Sequence, residues 1–482
     1  PMKAVRWLAI AVIGALLAAA VLYDGEERDP DDPVAPLRPG VPVATGDGGT
    51  WFCPGGTNPA SGGIAGVGLE IVNAGADAAA AAVTVVTTGA AEAPEAATVE
   101  IPPGERAIVS LAGLAPDAPW IGAVVETAGT DVIVEQTFAG DTGSDRSPCA
   151  TRTADRWIVP FGATRVEAAG EEMVLLLLNP FPDDAIVDIE YEADVGIDSV
   201  AGLVVPANRL VAVDVTDAET GVTVASRVSA LVEVTAGRIV ASRVQSYDGA
   251  EARGLAVTPA TPGAAVVHLP TTAVGDSRRD VVSVTNPGGE AVEVDVEIVA
   301  EGDSFPDPIE LTVLPGRTVQ VDLAGEARLA DLEGFSLVVR SLSGEPVGAS
   351  VDSVVDPGAD DLVVGAASST GVDVAADRWL VPIEGVEGET GRVVVVNPSP
   401  SAIASVEVSV VDADGSRSVA VVEIGPGRRA VVDAGELDGD RPVVVVASSS
   451  PVVAGRETAG LTSRSMATGV AASMAAAFAD LP

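Results

Sequence analysis

The strongest constraint on this chain is an internal repeat that recurs four times after residue 48. In each copy an apolar strand ends at an asparagine, and successive asparagines are about 110 residues apart. These asparagines are Asn73, Asn179, Asn286 and Asn397. The repeat is too long for one propeller blade or one solenoid turn, and it has the length of a small domain. The sequence therefore predicts four domains of one kind.

The pattern inside each copy predicts β-strands. In the third copy Val292, Val294 and Val296 alternate with Glu293 and Asp295. Strict alternation is typical of an antiparallel sheet with one buried and one solvated face. About 30 residues after each asparagine, a turn that begins with proline recurs. These turns are Pro103-Gly104, Pro206-Ala207, Pro315-Gly316 and Pro426-Gly427.

Some seven short strands per copy fit an immunoglobulin-like β-sandwich. The predicted fold is all-β: a tandem array of four immunoglobulin-like β-sandwiches after one N-terminal transmembrane or signal helix. The predicted boundaries are a signal anchor at 1–23, a Pro-rich acidic linker at 24–47, and sandwiches at 48–153, 154–262, 263–376 and 377–482.

The N-terminus predicts export. Lys3 and Arg6 precede an apolar run that ends at Tyr23, and Asp24 and Glu26 follow it. Positive charge before the run and negative charge after it place the N-terminus inside and the remainder on the extracytoplasmic side of the membrane. The length of the run fits both a retained single-pass anchor and a cleaved signal peptide.

The segment after this run has a proline at every third residue from Pro30 to Pro42. Polyproline II has three residues per turn, so the spacing predicts a semi-rigid spacer. The alternative is an ordinary polar linker with an accidental proline spacing. Both interpretations hold the folded part away from the membrane.

The composition excludes several classes of protein. The chain has 27 basic and 70 acidic residues and a net charge of −43, which argues against nucleic-acid binding. A hydrophobic fraction of 47% is too high for a disordered chain. Aromatic residues make up only 3%, so the cores must be filled by Val, Leu, Ile and Ala.

The two cysteines, Cys53 and Cys149, lie near the two ends of the first copy. In an exported chain such a pair predicts a disulfide. A redox-active or nucleophilic cysteine is the alternative, but neither cysteine belongs to a Cys-x-x-Cys pair or has a histidine nearby in the sequence.

The catalytic inventory is poor. His268 is the only histidine, so a multi-histidine zinc site is excluded and any Ser-His-Asp site would have to use this residue. We interpret it as a strand histidine. Carboxylates are abundant enough for a two-carboxylate glycosidase, but aromatic sugar platforms are scarce, with Trp120 as the main candidate. We therefore predict no enzyme, no catalytic residue and no cofactor.

Calcium is the one metal that the sequence leaves open. Asp412 and Asp414-Gly415 resemble the start of a calcium loop, but no glutamate closes the loop, and a hairpin turn is the better interpretation. Asp356, Asp360 and Asp361 are alternative calcium ligands between two domains.

The tripeptide Asp-Arg-Trp recurs at the start of the second and fourth copies, at 155–157 and 377–379. One interpretation is a domain-junction element, with an Arg–Asp interaction and a tryptophan that plugs the end of the sandwich. The other is a repeated partner contact, because Trp and Arg are frequent interface hot spots. The candidate contact residues are Arg156, Trp157, Arg378 and Trp379.

The first copy opens with Trp51-Phe52-Cys53-Pro54-Gly55-Gly56. Together with the N-terminal anchor, the Pro-rich spacer and the β-rich repeats, this element resembles a family of exported actinobacterial proteins that has no established activity. The resemblance implies location and architecture only. The modules themselves resemble bacterial immunoglobulin-like and fibronectin-like domains.

These observations favour a non-enzymatic extracytoplasmic scaffold or spacer, tethered to the bacterial membrane, that binds envelope or membrane proteins. An adhesin-like surface protein that binds cell-wall glycan is the alternative. A carboxylate-based hydrolase is a third and weaker hypothesis.

Overall fold

The computed structural model describes residues 43–44 and 48–472, except 59–62, 90–95, 273–277, 356–364, 384–389, 434–442, 460–463 and the single residues 130, 218, 251, 303, 331 and 333. The chain divides into two compact units, Pro1–Arg38 and Pro39–Pro482, and all described residues belong to the second. The predicted anchor at 1–23 and nearly all of the linker at 24–47 lie outside the described residues. Among the described helices, none has the length and apolarity needed to cross a membrane.

The described chain is built almost entirely from β-strands, which fall into four modules of the same topology. A short strand, β1 (Val43–Ala44), precedes them. Module 1 contains β2 (Gly48–Thr57), β3 (Gly66–Asn73), β4 (Ala79–Thr87), β5 (Ala96–Ile101), β6 (Arg106–Ser110), β7 (Trp120–Ala128), β8 (Val132–Gly140) and β9 (Gly143–Pro148). Module 2 contains β10 (Arg156–Val159), β11 (Glu171–Asn179), β12 (Ala185–Ala193), β13 (Gly196–Val205), β14 (Arg209–Asp214), β15 (Val228–Ala236), β16 (Val240–Asp248) and β17 (Arg253–Pro259).

The second half of the chain repeats this order. Module 3 contains β18 (Val266–Thr272), β19 (Arg278–Thr285), β20 (Val292–Ala300), β21 (Ile309–Val313), β22 (Thr318–Asp322), β23 (Phe335–Ser341), β24 (Gly348–Val355) and β25 (Ala366–Ser369). Module 4 contains β26 (Ala376–Pro382), β27 (Thr390–Asn397), β28 (Ala404–Asp412), β29 (Gly415–Ile424), β30 (Arg428–Asp433), β31 (Val443–Ala459), β32 (Arg464–Thr468) and β33 (Val470–Ala472). Short helical turns occur at α1 (Leu111–Leu114), α2 (Val166–Ala169) and a 3-10 turn at Ala327–Leu329.

Each module has two sheets. Counting strands within a module, sheet I has the order 1-6-3-4 and sheet II the order 5-2-7-8, as in β10-β15-β12-β13 and β14-β11-β16-β17 of module 2. In module 1 a single parallel bridge, Thr57 to Gly66, joins the two sheets. In module 4 the long strand β31 serves as sixth strand in sheet I and as seventh strand in sheet II. The prediction of repeated all-β domains is therefore confirmed.

This strand order shares part of the immunoglobulin pattern. In that fold the second strand pairs with the fifth and the third with the sixth, and both pairings occur here. The first strand differs, because it pairs with the sixth strand, and the seventh strand pairs with the second. The outer strands of the module thus lie in other places than in an immunoglobulin constant-type domain.

The alternating residues divide between core and solvent as the pleat requires. In β20, Val292, Val294 and Val296 are buried, whereas Glu293 is exposed. The buried residues of both sheets of module 3 form one cluster that includes Val282 and Val351 from sheet II. Since β-branched valine packs well on a pleated surface, such cores form with very few aromatic residues.

The four repeated asparagines each clamp a corner of their module. All four are fully buried, and each Nδ2 donates to at least two backbone carbonyls. In module 2, Asn179 Nδ2 lies 2.8 Å from the carbonyl oxygen of Asp183 and 2.9 Å from that of Val205, and Asn179 Oδ1 accepts from Phe181 N at 3.0 Å. The side chain therefore joins the turn after the second strand to the end of the fourth.

The recurrent proline turns have a left-handed residue just after the proline. In modules 1, 3 and 4 it is a glycine, and Gly316 has a φ of 62°. Module 2 has alanine at that place, and the left-handed residue is Asn208 instead, with a φ of 52°. Asparagine tolerates this conformation better than other residues with a side chain, so the turn survives the change.

The four modules form a closed ring around a common axis. Their eighth strands, β9, β17, β25 and β32, contact one another in cyclic order, and β32 of module 4 contacts β9 of module 1. Small residues allow this close approach. A Cβ on Gly254 of β17 would collide with the backbone at Ala366 of β25. The tandem modules thus close into a ring, because module 4 returns to module 1.

The two ends of the described chain meet at module 4. Strand β33 follows β32 and pairs with the first strand of that module, with Leu380 opposite Val470. The short strand β1, which precedes module 1, runs parallel to β33, with Val43 opposite Ala471. The first and last described strands thus lie in the same sheet.

We expect Asn179→Ala to lower the free energy of unfolding by about 2–4 kcal/mol, because two buried carbonyls and one amide lose their partner. Urea denaturation measures the loss. The control is Asn208→Gly, at an exposed left-handed position, which should change stability by less than about 0.5 kcal/mol. Equal losses in the two variants would contradict the proposed role of the asparagine.

Candidate functional site at the ring joints

Two of the four joints of the ring contain an arginine paired with a carboxylate away from water. Between modules 2 and 3, Arg243 Nη2 lies 2.7 Å from Asp352 Oδ1, and the side chains are 2% and 4% exposed. Between modules 4 and 1, Arg456 Nη1 lies 2.6 Å from Glu135 Oε1, and each side chain is 1% exposed. These charged groups are among the most deeply buried in the described chain.

The pair between modules 2 and 3 is part of a hydrogen-bond network. Arg243 also donates to the carbonyl oxygen of Phe161 and, at 3.4 Å, to Thr258 Oγ1. The second carboxylate oxygen of Asp352 accepts from Ser350 Oγ at 2.8 Å. The charge on each side is thereby supported by its own module as well as by its partner.

The pair between modules 4 and 1 belongs to a longer chain of charges. Arg106 and Arg146 both contact the carboxylate of Glu70, which is 1% exposed. Arg146 Nη1 lies 3.8 Å from Glu135 Oε2, and Glu135 pairs with Arg456. Five charged side chains of alternating sign therefore run from module 1 into module 4.

The two arginines occupy equivalent places. Arg243 pairs with Leu175, and Arg456 pairs with Val393. Leu175 and Val393 each lie four residues before the repeated asparagine of their module. Their partners, Asp352 and Glu135, lie in the seventh strands of modules 3 and 1. The even-numbered modules thus supply the arginine and the odd-numbered modules the carboxylate.

The physical effect of such pairs is orientation more than stability. The desolvation of two charges offsets most of their attraction, so a buried pair adds little net stability over apolar residues of the same size. Removal of one partner, however, leaves an uncompensated charge, which costs several kcal/mol. The pairs therefore penalise every arrangement in which Arg243 or Arg456 is buried without its carboxylate.

A small cavity lies at the joint between modules 2 and 3. This cavity beside Arg243, lined also by Val159, Ser350, Ser368 and Thr370, has room for about one water molecule. Such a site can supply hydrogen bonds to buried polar groups, but it is too small for an organic substrate.

The predicted disulfide is present. Cys53 of β2 and Cys149, directly after β9, are bonded, and both are fully buried. The bond fastens the first strand of module 1 to the segment that follows its eighth strand. At the same place in modules 2 and 3, a backbone bridge alone does this, between Ile158 and Thr261 and between His268 and Val372.

The Asp-Arg-Trp element of module 2 is divided between core and surface. Trp157 is 4% exposed, and its Nε1 donates to the carbonyl of Ile239 at 3.1 Å. Arg156 is 41% exposed and pairs with Glu233 of the same module at 2.8 Å. The indole is thus out of reach of a partner in this conformation, whereas the guanidinium is accessible.

The matching element of module 4 reaches another module. Trp379 is fully buried, and its Nε1 donates to the carbonyl of Val452 at 2.7 Å, the place that Ile239 has in module 2. Arg378 pairs with Asp131 of module 1. Arg378 thus contacts module 1, at the joint that closes the ring.

A proline recurs near the start of every module, at Pro54, Pro160, Pro270 and Pro382. His268 lies two residues before this proline, where the other modules have Phe52, Ile158 and Leu380. It is 8% exposed, and its Nδ1 has no hydrogen-bond partner among the described residues. Burial, with a smaller effect of the positive charge of Arg340, lowers the pKa of His268 to about 4. The imidazole is therefore neutral at ordinary pH.

The remaining candidates are placed as follows. Asp412 and Gly415 are paired at the end of a β-hairpin, and Asp414 N donates to Asp412 Oδ1 at 2.9 Å. Asp356, Asp360 and Asp361 lie outside the described residues. No metal-binding cluster of His, Cys, Asp and Glu occurs within the described part of the chain. Trp120 is half-buried at the start of β7, against the core.

The ion pairs of the joints escape sequence analysis because a charge on a strand usually marks a solvated face. Arg243 and Arg456 do carry a weak signal. Each arginine follows two small or apolar residues and a valine, in Val-Ala-Ser-Arg-Val and Val-Ala-Gly-Arg-Glu. In the sheet, both arginines have the same register relative to the strand that ends at the repeated asparagine. The signal indicates burial, but it does not name the partner module.

We expect Arg456→Met and Glu135→Gln to be coupled. Each single change leaves a buried group of the other residue without its partner and should cost about 3–5 kcal/mol. The double variant should lose less than the sum, by at least about 1 kcal/mol. Urea unfolding of the four proteins measures this. Arg156→Met, in an exposed pair, is the control and should cost under about 1 kcal/mol. Strict additivity at the joint would contradict the coupling.

We expect His268 to make stability depend on pH. Its folded pKa, about 4, lies below the unfolded value of 6.5, so the unfolded chain binds the proton first. The contribution of neutral His268 to the free energy of unfolding is therefore fully present above pH 6.5. It is lost as the pH falls towards 4, by up to about 3 kcal/mol. His268→Leu, the residue of module 4, should remove the loss. The test is the difference in unfolding free energy between the two proteins at pH 7.5 and about pH 4.5. A difference that does not change with pH would be the contrary result.

Comparisons with known proteins give a family but no activity. A family model described as a family of unknown function (DUF5719) matches the chain twice, over residues 50–273 and 238–479. No curated protein matches the chain. Among solved structures, the crystal structure of Thermotoga maritima 1070 is similar at 17% identity over 23% of this chain and 93% of that one, with a TM-score of 0.20. That score is too low to support an argument. The two family matches together cover nearly all of the described chain. They confirm the expected relation to a repeat family without an established activity. The chain belongs to the family of unknown function DUF5719.

Proposed function

We propose that this protein is a non-enzymatic scaffold on the extracytoplasmic side of a bacterial membrane, where the ring of four modules binds envelope proteins as one rigid platform. The observation that carries the proposal is the use of the buried charges. Within the described part of the chain, Arg243 with Asp352 and Arg456 with Glu135 form buried ion pairs that join neighbouring modules. Buried ion pairs between modules favour a protein that holds the outer surfaces of its modules in a fixed arrangement.

The proposed location has two supports. Positive residues precede the N-terminal apolar run and acidic residues follow it, which favours export of the remainder. The disulfide between Cys53 and Cys149 suits an oxidising compartment. We also propose that the modules are immunoglobulin-like in class, on the two strand pairings that they share with that fold, and that the source is an actinobacterial envelope, on the resemblance given above.

The best surface candidate for a partner lies at the joint between modules 3 and 4. Phe305 is 73% exposed, and the guanidinium of Arg428 lies 3.3 Å from the centre of its ring. Arg428 also donates to the carbonyl of Ser304, which fixes the stack. An exposed aromatic residue held by an arginine combines two residue types that dominate protein interfaces.

Crosslinking in living cells, followed by affinity capture and mass spectrometry, tests the proposal. The full-length chain should capture a reproducible set of envelope proteins. Phe305→Ala should reduce that capture at least fivefold without a change in thermal stability, because it removes an exposed ring. A matched control is Phe181→Ala in module 2, where the ring is 39% exposed and lies away from this stack.

Three results would contradict the proposal in different ways. Capture of polysaccharide without protein would favour the adhesin-like, glycan-binding alternative. Turnover of an envelope polymer that depends on specific carboxylates would favour a hydrolase. Equal capture by the wild-type chain and by Phe305→Ala would leave the scaffold without this contact surface and would remove the site from the proposal.

A further inference from the structure

The four joints of the ring are of two kinds that alternate. At the joints 1/2 and 3/4, the first strand of the odd-numbered module packs against the second and seventh strands of the next module, as β2 does on β11 and β16 and β18 does on β27 and β31. The third strand of the odd module meets the fifth strand of the even one in both cases, β4 on β14 and β20 on β30.

The joints 2/3 and 4/1 repeat a different set of contacts. Each has a buried arginine from the even module and a carboxylate from the odd one, Arg243 with Asp352 and Arg456 with Glu135. Each also brings the glycine turn of the odd module against the third strand of the even one. Gly316 faces Glu190, and Gly104 lies against the backbone of Asp412.

This alternation divides the ring into two equal halves. Modules 1 and 2 share one apolar cluster, and a second cluster joins module 4 to module 3. The first cluster also includes five residues of module 4, and a small cluster links modules 2 and 3, so apolar packing continues across all four joints. The family model also matches once per half, over 50–273 and 238–479. The family matches and the joint chemistry thus mark the same unit, a pair of modules.

We infer that the ring consists of two copies of a self-associating two-module unit, and that the partner of each half is a second copy of that unit, in the same chain or in another. The joint between modules 4 and 1 shows that the contact does not need a connecting loop, because these modules are at opposite ends of the chain. The joint between modules 2 and 3 has the same chemistry and is spanned only by the short connection around Pro262.

The consequence is that two chains can exchange halves. Modules 1 and 2 of one chain then form a ring with modules 3 and 4 of another, and both joints are made between chains. The short connection keeps the effective concentration of the second half high, so single-chain rings predominate in the wild type. Chains that cannot close alone, but complement each other, should form the exchanged pair.

A charge-reversal experiment on the full-length chain tests this. Arg243→Asp places two carboxylates at joint 2/3, and Asp352→Arg places two guanidinium groups there, so neither variant can close its own ring. When the two variants are refolded together, every joint 2/3 of an exchanged dimer regains one charge of each sign. With different tags on the two variants, native mass spectrometry and sequential affinity capture measure the two-chain species.

We expect the mixture to contain at least tenfold more two-chain rings than the wild type at the same concentration. Arg243→Asp combined with Asp352→Arg in one chain is the matched control, and it should return to single-chain rings. A mixture that stays monomeric or aggregates, while the doubly substituted chain closes, would overturn the inference.

A second measurement keeps the inference testable if the reversed charges prevent folding altogether. A protease site placed between Pro262 and Gly263 allows the folded wild-type ring to be cut into its halves. We expect the cut halves to remain together in gel filtration and to exchange with halves of a differently tagged sample. Halves that separate after cleavage would show that the joints depend on the covalent connection, and this would equally overturn the inference.

Discussion

The arrangement of the four modules depends on two arginine–carboxylate pairs that lie out of reach of water. In an exposed position such a pair contributes little, because water screens it and competes for both partners. At the joints of this ring the same groups are almost fully buried. A shift of one module that breaks the pair but keeps water out would leave an unpaired buried charge on each side. Small residues on the eighth strands bring the modules close enough for these contacts, as Gly254 does against Ala366.

The ring changes what the repeat means for function. A linear string of domains would act as a spacer, and each added module would make it longer. A closed ring of four modules keeps its two chain ends close together and does not act as a long spacer. Its outer sheets keep fixed relations to one another, because each module is held by two neighbours. In a chain of net charge −43, two arginines, Arg243 and Arg456, are buried where they fix the relation between modules. This supports the proposed platform more than a mechanical spacer.

The features that the sequence predicts well are those that each module repeats for itself. The repeated asparagines mark the ends of apolar strands, the alternation of β20 predicts its two faces, and the two cysteines predict a disulfide. The joints are not predictable in this way. Glu135 and Asp352 look like the many carboxylates on solvated faces, and only the three-dimensional return of module 4 to module 1 makes one of them a buried partner of Arg456. Nothing in the sequence around Gly104 predicts its contact with the backbone of Asp412.

Ring closure is tested most directly by a distance between modules 1 and 4 in the full-length protein. Spin labels on cysteines introduced as Glu105→Cys and Ala413→Cys would flank the contact of Gly104 with Asp412, and the native cysteines are occupied by their disulfide. The closed ring predicts a short and narrow distance that persists when labelled chains are diluted with unlabelled ones. A broad distance beyond about 70 Å, the extent of two intervening modules in a string, would contradict closure.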